Sequence, residues 1–445
     1  MSRKVHVWEN LKGINLSTTV AGDNSEFTNC DLRGASFSYA RMRGVDFTGS
    51  NMLGATLSGG DFHGATFSNV KSRALNLSNT SANCVDFKYT YAPRIILRDA
   101  NVQYATFKKS LIPNADMRRA NLSYSNFHMC RMPGSNLSRA ALSKSDFTSA
   151  DLAGCDLRAA NFTGAILCNT ILCSCLVDGI ILSGVDLRSV VMSDISSMRG
   201  ADLSFANLTR VSLSGVDLRM SQLRNTNCSS ANFTNARLCN AVITKTNFTG
   251  ANLTNAKFQG TSITQARMAD TQIVGTSFVS TSLNDVDFRT AQITDIDLSA
   301  ASISRTNFEG VELNIPLMSR AAIISTKFSG AILHSPDFRD TAMSSVDFRG
   351  VEMTGASLQR AAITDCNFTG AKLYDCDFTD TVITNTCFGG AKLVNCTLGD
   401  NVTIGASIIF TPVSHRTGRV FDWYRYMVCG DGVLVDYSWG VQPPI

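Results

Sequence analysis

From Phe27 to Leu398 the chain places a large apolar residue at almost every fifth position, with a small residue two positions earlier. An α-helix cannot keep this set on one side, because steps of five advance about 140° around its axis. A flat strand cannot either, because an odd step moves alternate members to opposite faces. A step of five keeps one residue type inside only if the chain turns a corner every five residues, which predicts a solenoid.

The same residue type also recurs every twenty positions, which sets the number of corners in each turn of the solenoid. Two columns of phenylalanine are unbroken: Phe27, Phe47, Phe67, Phe87, Phe107, Phe127, Phe147; and Phe288, Phe308, Phe328, Phe348, Phe368, Phe388. Residues twenty apart therefore stack, and four groups of five make one turn with a square cross-section. We expect about 18 turns and, at ~4.8 Å per turn, a length of ~90 Å.

Glycine marks one corner of the predicted square. It stands two positions after successive phenylalanines of the second column, at Gly310, Gly330, Gly350, Gly370 and Gly390. A turn that needs a positive φ favours glycine. These five residues are therefore predicted to occupy equivalent corners.

The pattern shifts by one residue once. Met192 keeps the first phase and Leu203 has the second, so an extra residue lies within Ser193 to Asp202. Because the disturbed segment is short, we interpret it as a local bulge inside one repeat domain rather than as a hinge. The domain over residues 25–410 would then be closed by a cap at residues 1–24 and by another at residues 411–445.

One patch of the first half departs from the pattern. Ser72, Ala82 and Ala92 are small at positions where large residues are expected. This predicts a looser patch with a bulging loop near Tyr89 to Pro93.

Several runs resemble the A(D/N)LXX signature of the pentapeptide repeat family. They include ADLSFANLTR (201–210), SANFTNARL (230–238) and TNFTGANLTNAKF (246–258). The resemblance extends over about nine-tenths of the chain. It implies an all-β, right-handed quadrilateral β-helix. Long members in enteric bacteria include effectors that type III secretion delivers into host cells, and some of these are mostly β-helix.

Charge is distributed in pairs along the repeats, and the net charge is +4. An Asp-x-Arg motif recurs at Asp31–Arg33, Asp156–Arg158, Asp186–Arg188, Asp217–Arg219, Asp287–Arg289, Asp337–Arg339 and Asp347–Arg349. With the middle residue inward, both charges point outward on the same wall and largely cancel. The basic pairs Lys108–Lys109 and Arg118–Arg119 are too small for nucleic-acid binding, which needs a continuous basic stripe.

The fourteen cysteines are predicted to be reduced packing residues, not a disulfide framework or a metal site. Seven occupy the small inward position: Cys30, Cys130, Cys155, Cys175, Cys366, Cys376, Cys396. Cys173 and Cys175 lack the spacing of zinc ligands. His63, His128 and His334 lie off the inward positions and are expected at the surface. We therefore expect neither metal nor cofactor.

No run of eighteen apolar residues is present, and the N-terminus lacks an apolar signal core. The sequence therefore predicts no membrane span and no cleaved signal peptide. It is consistent with a bacterial cytoplasmic protein or with one that is secreted into a host cell without cleavage.

The C-terminal segment is the part of the chain least like the repeats. It is rich in tryptophan and tyrosine, and two β-prone runs flank Gly430 to Gly432, which predicts a hairpin. A solenoid needs its open end covered, so a cap is one interpretation. A docking surface is another, because such residues anchor interfaces: Trp423, Tyr424, Tyr426, Tyr437, Trp439. At the other end Trp8, Leu11, Ile14 and Leu16 are expected to cap.

The leading hypothesis is a non-catalytic scaffold that binds an unknown protein partner. One alternative is a DNA mimic that modulates DNA gyrase, as in the quinolone-resistance branch of the family, but the paired charges argue against an acidic surface. Another is an enzyme built from tail residues His415, Asp422, Cys429 and Asp431, which arise easily by chance. The oligomeric state stays open, with an end-to-end dimer as one arrangement.

Overall fold

The structure is a computed structural model, and it describes residues 3–20, 22–397, 403–404, 426–428 and 434–436. The described residues contain β-strands, β-bridges and turns but no helix. The repeats form parallel β-solenoid turns, about 19 in all, as the period of five predicted. The chain divides into two compact units. One contains Met1–Thr209 and Val216–Thr226, and the other contains Arg210–Gly215 and Asn227–Ile445.

The first unit is held together by parallel bridges between successive turns. Each turn makes four of them, at intervals of five residues, and most join residues twenty apart. One set is Asp31↔Asn51, Ser36↔Thr56, Arg41↔Asp61 and Asp46↔Thr66. The four bridges define four walls, so the square cross-section predicted from the columns is confirmed.

The first described turn joins the solenoid through strand β1 (Val5–Val7), which pairs in parallel with β2 (Glu26–Thr28). The ring of His6 stacks on Phe27 at a centroid distance of 5.0 Å. Leu16 is buried, and Leu11 and Ile14 are half-buried. Trp8 lies instead at a corner with a φ of 61° and is 76% exposed.

One residue interrupts the twenty-residue offset near the end of the first unit. Ile171 bridges Val191, twenty residues on, whereas Ile181 bridges Asp202, twenty-one residues on. Ile195 is still buried, and Ser196 after it is exposed. The extra residue therefore lies at the surface and leaves the inward positions filled.

The second unit contains two parallel sheets made of every second strand. Nine strands form one sheet: β3 (Val242–Thr244), β4 (Ser262–Thr264), β6 (Ser282–Asn284), β8 (Ser302–Ser304), β10 (Ala322–Ile324), β12 (Ala342–Ser344), β14 (Ala362–Thr364), β16 (Val382–Thr384) and β18 (Thr403–Ile404). Seven form the other: β5 (Gln272–Val274), β7 (Gln292–Thr294), β9 (Glu312–Asn314), β11 (Ile332–His334), β13 (Glu352–Thr354), β15 (Lys372–Tyr374) and β17 (Lys392–Val394). Isolated bridges such as Asp287↔Asn307 complete the turns.

The core of each unit is a stack of side chains along the predicted columns. In the first unit the rings from Phe27 to Phe147 are buried, with centroid spacings of 4.5 to 5.6 Å. In the second unit the rings from Phe288 to Phe388 are spaced by 4.6 to 5.2 Å. Offset stacking at these distances adds to the stability from burial alone.

Small polar residues inside the solenoid bond to the backbone of the preceding turn. Thr90 donates to the carbonyl of Phe67 at 2.6 Å, and Thr276 donates to the carbonyl of Leu253 at 2.8 Å. Burying a hydroxyl is costly unless it is hydrogen-bonded. This arrangement explains why Ser and Thr can replace Ala in the inward columns.

The corners are left-handed turns, as the glycine column predicted. Gly310 and Gly370 have φ values of 69° and 71°. At other corners Asn or Asp often occupies the same conformation, which these residues tolerate better than most. Strands β19 (Tyr426–Val428) and β20 (Leu434–Asp436) pair antiparallel on either side of the predicted Gly430 turn.

Candidate interaction surface

Most of the tail residues that the sequence singled out lie outside the described residues. These are the anchors Trp423, Tyr424, Tyr437 and Trp439, and the catalytic candidates His415, Asp422, Cys429 and Asp431. Tyr426 is the first residue of β19. The surface described below belongs to the repeats.

The walls of both units carry the acid–base pairs that the sequence predicted. In all seven Asp-x-Arg motifs the guanidinium and the carboxylate form an ion pair. Asp347 also accepts a hydrogen bond from the backbone N–H of Arg349 at 3.1 Å, which closes the corner. Hydrogen bonds from Arg33 hold the pKa of Asp31 at about 2.

One wall of the first unit does not follow this rule. Its bridge positions run from Asp31 through Asn51, Lys71, Tyr91, Leu111 and Arg131 to Asp151. We call its middle part, together with the corner residue Arg94, the basic wall. It consists of Asn51, Leu53, Lys71, Arg73, Tyr91, Pro93, Arg94, Leu111, Pro113 and Arg131. Between the acids at its two ends, none of these outward positions carries a carboxylate.

The cations of the basic wall are largely uncompensated. Among the described residues, Lys71, Arg73 and Arg94 form no ion pair, and all three are exposed. Arg131 reaches Asp151 only at 3.8 Å, with 69% of its side chain exposed. The positive charge is therefore available to a binding partner.

Apolar side chains lie among these cations. Tyr91 is 50% exposed, and Leu53 and Leu111 are also exposed. At the adjoining corner the ammonium of Lys109 lies 5.9 Å from the ring centroid of Tyr89. Exposed apolar groups, tyrosine and arginine are residue types found at protein interfaces.

Proline takes the place of the usual corner hydrogen bond on this wall. In the common motif an Asn or Asp side chain accepts from the N–H two residues on, as Asn161 does from Thr163 at 2.9 Å. Tyr91, Leu111 and Arg131 cannot accept in this way. The residue two positions after each is proline, which has no N–H to satisfy: Pro93, Pro113 and Pro133.

A groove of about 500 Å³ lies in the basic wall and is lined mainly by its residues. The lining includes Ser72 and the three cations Lys71, Arg73 and Arg94. Ser72 and Ala92 occupy inward positions that hold Leu, Met or Ile in most other turns of this column, so less side-chain volume lies beneath the wall. The groove is therefore lined by cations and apolar groups together.

The prediction of a bulging loop near Tyr89 to Pro93 is wrong. Lys71, Tyr91 and Leu111 keep the twenty-residue register. Main-chain hydrogen bonds such as Tyr91 N–H to Val70 O at 3.0 Å hold this register, and they do not depend on the size of the inward side chain. The small residues change the wall's surface and leave its backbone path regular.

The basic wall is not visible when charges are compared along the chain. Asp-x-Arg motifs are visible within three residues, whereas Lys71, Arg94 and Arg131 come together only in columns of twenty. Outward residues that are twenty positions apart lie above one another, and comparing them shows a wall without acids. Lys108 and Lys109 lie beside the basic wall. Lys108 belongs to the neighbouring wall, and Lys109 lies at the corner that the two walls share.

The cysteines are free wherever they are described, and the seven that were predicted to point inward are buried. Cys228 is buried too, in a column of large residues, and burial raises the pKa of its thiol. Burial also raises the pKa of Cys175, to about 11. A thiol that resists ionisation is a poor nucleophile and a poor metal ligand.

No group of three or more His, Cys, Asp or Glu side chains within the described ranges is placed to hold a metal ion. Of the histidines predicted at the surface, His63 is exposed, whereas His128 and His334 are half-buried. The described ranges also hold no helix with the length and apolar character needed to cross a membrane.

A four-walled parallel solenoid with inward Leu and Phe, small inward partners and Asn or Asp at the bridges defines a class of repeat protein. The sequence matches the family described as pentapeptide repeats in eight copies, at residues 25–64, 95–139, 135–173, 196–221, 221–260, 251–289, 336–370 and 361–400. These segments cover more than half of the chain, which therefore belongs to the pentapeptide repeat family.

Solved structures of other pentapeptide proteins are similar to parts of the chain. HetL, involved in heterocyst differentiation regulation in the cyanobacterium Nostoc sp. strain PCC 7120, is 23% identical over 54% of this chain and 90% of its own, with a TM-score of 0.29. Full-length QnrB1, a plasmid-mediated fluoroquinolone resistance protein, is 18% identical over 50% and 94%, with a TM-score of 0.16. Rfr23 from the cyanobacterium Cyanothece 51142 is 25% identical over 23% and 62%, with a TM-score of 0.12. We found no curated protein that matches the chain.

Proposed function

We propose that this protein is a non-catalytic scaffold that binds a partner protein through the basic wall. The observation that carries the proposal is the combination, on one wall, of cations without acidic partners and exposed apolar side chains. Exposed apolar groups gain from being covered by a partner, and cations without acidic partners attract a protein of opposite charge. The regular backbone beneath the wall keeps these groups in fixed positions, which lowers the entropic cost of binding.

The aromatic tail is a second proposed contact. Trp423, Tyr424, Tyr426, Tyr437 and Trp439 are of the residue types that anchor interfaces, and this proposal rests on their type alone. DNA mimicry towards gyrase gains no support from the described walls, because the carboxylates of the Asp-x-Arg motifs are neutralised by arginine. Delivery into a host cell, which the family resemblance implies, has no counterpart in the geometry and is not part of the proposal.

A capture experiment with matched variants tests the scaffold. The full chain, the triple variant Lys71→Glu, Arg73→Glu, Arg94→Glu, and a control triple variant are immobilised and exposed to bacterial and host lysates. The control carries the same charge change in the second unit, at three exposed cations: Arg237→Glu, Lys245→Glu, Lys257→Glu.

We expect proteins that bind the full chain and the control to be lost from the wall variant. Equal capture by all three proteins would contradict the proposal. A chain lacking residues 411–445 is the fourth arm. If capture depends on that segment and not on the wall, the tail is the contact surface.

A further inference from the structure

We infer that the basic wall binds an extended, acidic protein segment in which carboxylates alternate with aliphatic side chains along the face turned to the wall. This inference rests on the proposed scaffold function and adds the chemistry of the partner. It follows from the arrangement of charge, apolar area and backbone on the wall.

The charge on the wall selects an anionic partner. From Asn51 to Arg131 the outward positions supply four cations, counting the corner residue Arg94, and no acid. On the neighbouring wall Asp116 is already held by two arginines, Arg98 at 2.6 Å and Arg118 at 2.8 Å. Asp116 therefore does not neutralise the basic wall.

The apolar part of the wall selects protein over nucleic acid. Leu53 and Leu111 are exposed aliphatic residues, and Pro93 and Pro113 are half-buried beside them. Nucleic-acid surfaces use phosphate-binding cations together with aromatic rings that stack on bases. Here Tyr91 is the single aromatic ring among the wall residues, and the aliphatic groups would face a phosphate backbone without a partner. Aliphatic side chains of a protein would cover them favourably.

The dimensions of the wall fit a short extended segment. Asn51 and Arg131 are the first and last of five stacked bridge positions. The four intervals between them, at ~4.8 Å each, correspond to ~19 Å. An extended peptide rises by ~3.3 Å per residue, so about six residues cover this distance. In an extended segment every second side chain faces the wall, so acidic and aliphatic residues placed alternately at those positions can meet the cations and the groove in turn.

The acid–base motif is absent from this part of the wall. Where the motif occurs, an arginine lies two residues after an aspartate, as at Asp156–Arg158. On the basic wall the corresponding positions hold Lys71–Arg73, Tyr91–Pro93 and Leu111–Pro113. Lys71 and Arg73 place two cations where the motif has an acid and a base, which distinguishes this surface from the walls that carry the motif.

Fluorescence anisotropy with labelled peptides tests the inference on the full-length chain. The probe, called the Glu–Leu peptide, is a decapeptide that repeats Glu-Ser-Leu-Ser, which places Glu and Leu in turn on one face. The controls are the same peptide with Ser for Leu (Glu–Ser), the same peptide with Lys for Glu (Lys–Leu), and a single-stranded oligonucleotide of twenty thymidines. Binding of each is measured at low and at physiological salt. The wall variant and the control variant of the capture experiment are measured beside the full chain, with thermal unfolding as the check of folding.

We expect the Glu–Leu peptide to bind at least about tenfold more tightly than the Lys–Leu peptide, which forms no ion pair with the wall. It should also bind more tightly than the Glu–Ser peptide and the oligonucleotide, which keep their negative charges but do not cover the aliphatic groups. The wall variant should lose at least about tenfold in affinity because three cations become carboxylates, and the control variant should bind as the full chain does. Leu53→Ser with Leu111→Ser keeps the charge and should weaken the Glu–Leu peptide while leaving Glu–Ser unchanged.

Tighter binding of the oligonucleotide would overturn the inference in favour of a nucleic-acid partner. Equal binding of the Glu–Ser peptide would remove the aliphatic component, and no binding of any acidic probe would remove the inference altogether. If the peptides fail while capture from lysate still depends on Lys71, Arg73 and Arg94, the scaffold proposal stands and only this partner chemistry is wrong.

Discussion

Phe308 contacts a phenyl ring in the turn on either side, at centroid distances of 4.7 Å from Phe288 and 5.0 Å from Phe328. It is fully buried, whereas its neighbour Glu309 is exposed. One side chain is buried and the next is exposed because the chain turns a corner every five residues. Each side chain is either part of the stack or part of a wall.

Phe308→Asp is expected to destabilise the second unit strongly. It removes ~1.5–3 kcal/mol of apolar burial and places a carboxylate where nothing can bond to it. Glu309→Ala should change the free energy of unfolding by less than about 0.5 kcal/mol, because the side chain is in water. Denaturant unfolding of the two variants compares them directly, and equal shifts would contradict the inward position of Phe308.

At the scale of the element, each group of five residues combines one bridge, one large and one small inward side chain, and one left-handed corner. The bridge residue determines how the corner is closed. Asn or Asp accepts from the N–H two residues on, and the basic wall uses proline instead. This alternative lets Tyr, Leu or Arg occupy the bridge position without leaving a backbone donor unsatisfied.

Asp116 provides a pH test of the paired walls. Burial raises its pKa, but hydrogen bonds from Arg118 and Arg98 outweigh burial and lower the pKa to about 2. In the unfolded chain an aspartate has a pKa of about 3.9. Because the folded pKa is the lower one, the stability that Asp116 contributes is present above pH ~4 and is lost as the pH falls towards 2.

The Asp116→Asn variant is therefore expected to unfold more easily than the natural chain at neutral pH and to approach it near pH 2. Chemical unfolding measured between pH 2 and pH 6 checks this, with Asp270→Asn as the control at an exposed corner that shows no basic partner among the described residues. A stability difference for Asp116→Asn that stays constant across this range would show that the carboxylate's charge is not what stabilises the wall.

At the scale of the whole molecule, the fold was predictable from the sequence because the inward positions obey a strict rule. Every fifth residue must be large and apolar. Because each turn has four walls of five residues, equivalent inward residues lie twenty positions apart. The N-terminal turn was less visible, since only Leu16 of its inward residues is fully buried.

The basic wall was not predicted, because no packing rule constrains the outward positions. Its character depends on which outward residues lie above one another, and Ser72 and Ala92 were interpreted as a weakness of the backbone. Their effect is on the surface, where the groove lies, because main-chain bonds between turns hold the register regardless of side-chain volume. The residues of the inward columns therefore predict the fold, and the residues of the outward columns determine the surface that a partner can contact.

Lysine acetylation footprinting of the full chain, with and without the Glu–Leu peptide at saturation, tests the central claim most directly. Lys71 lies on the basic wall, and Lys257 is an equally exposed lysine of the second unit. If the wall is the binding surface, the peptide slows acetylation of Lys71 several-fold and leaves the rate at Lys257 unchanged. A bound peptide that leaves Lys71 as reactive as before, or that protects Lys257 equally, would contradict the account.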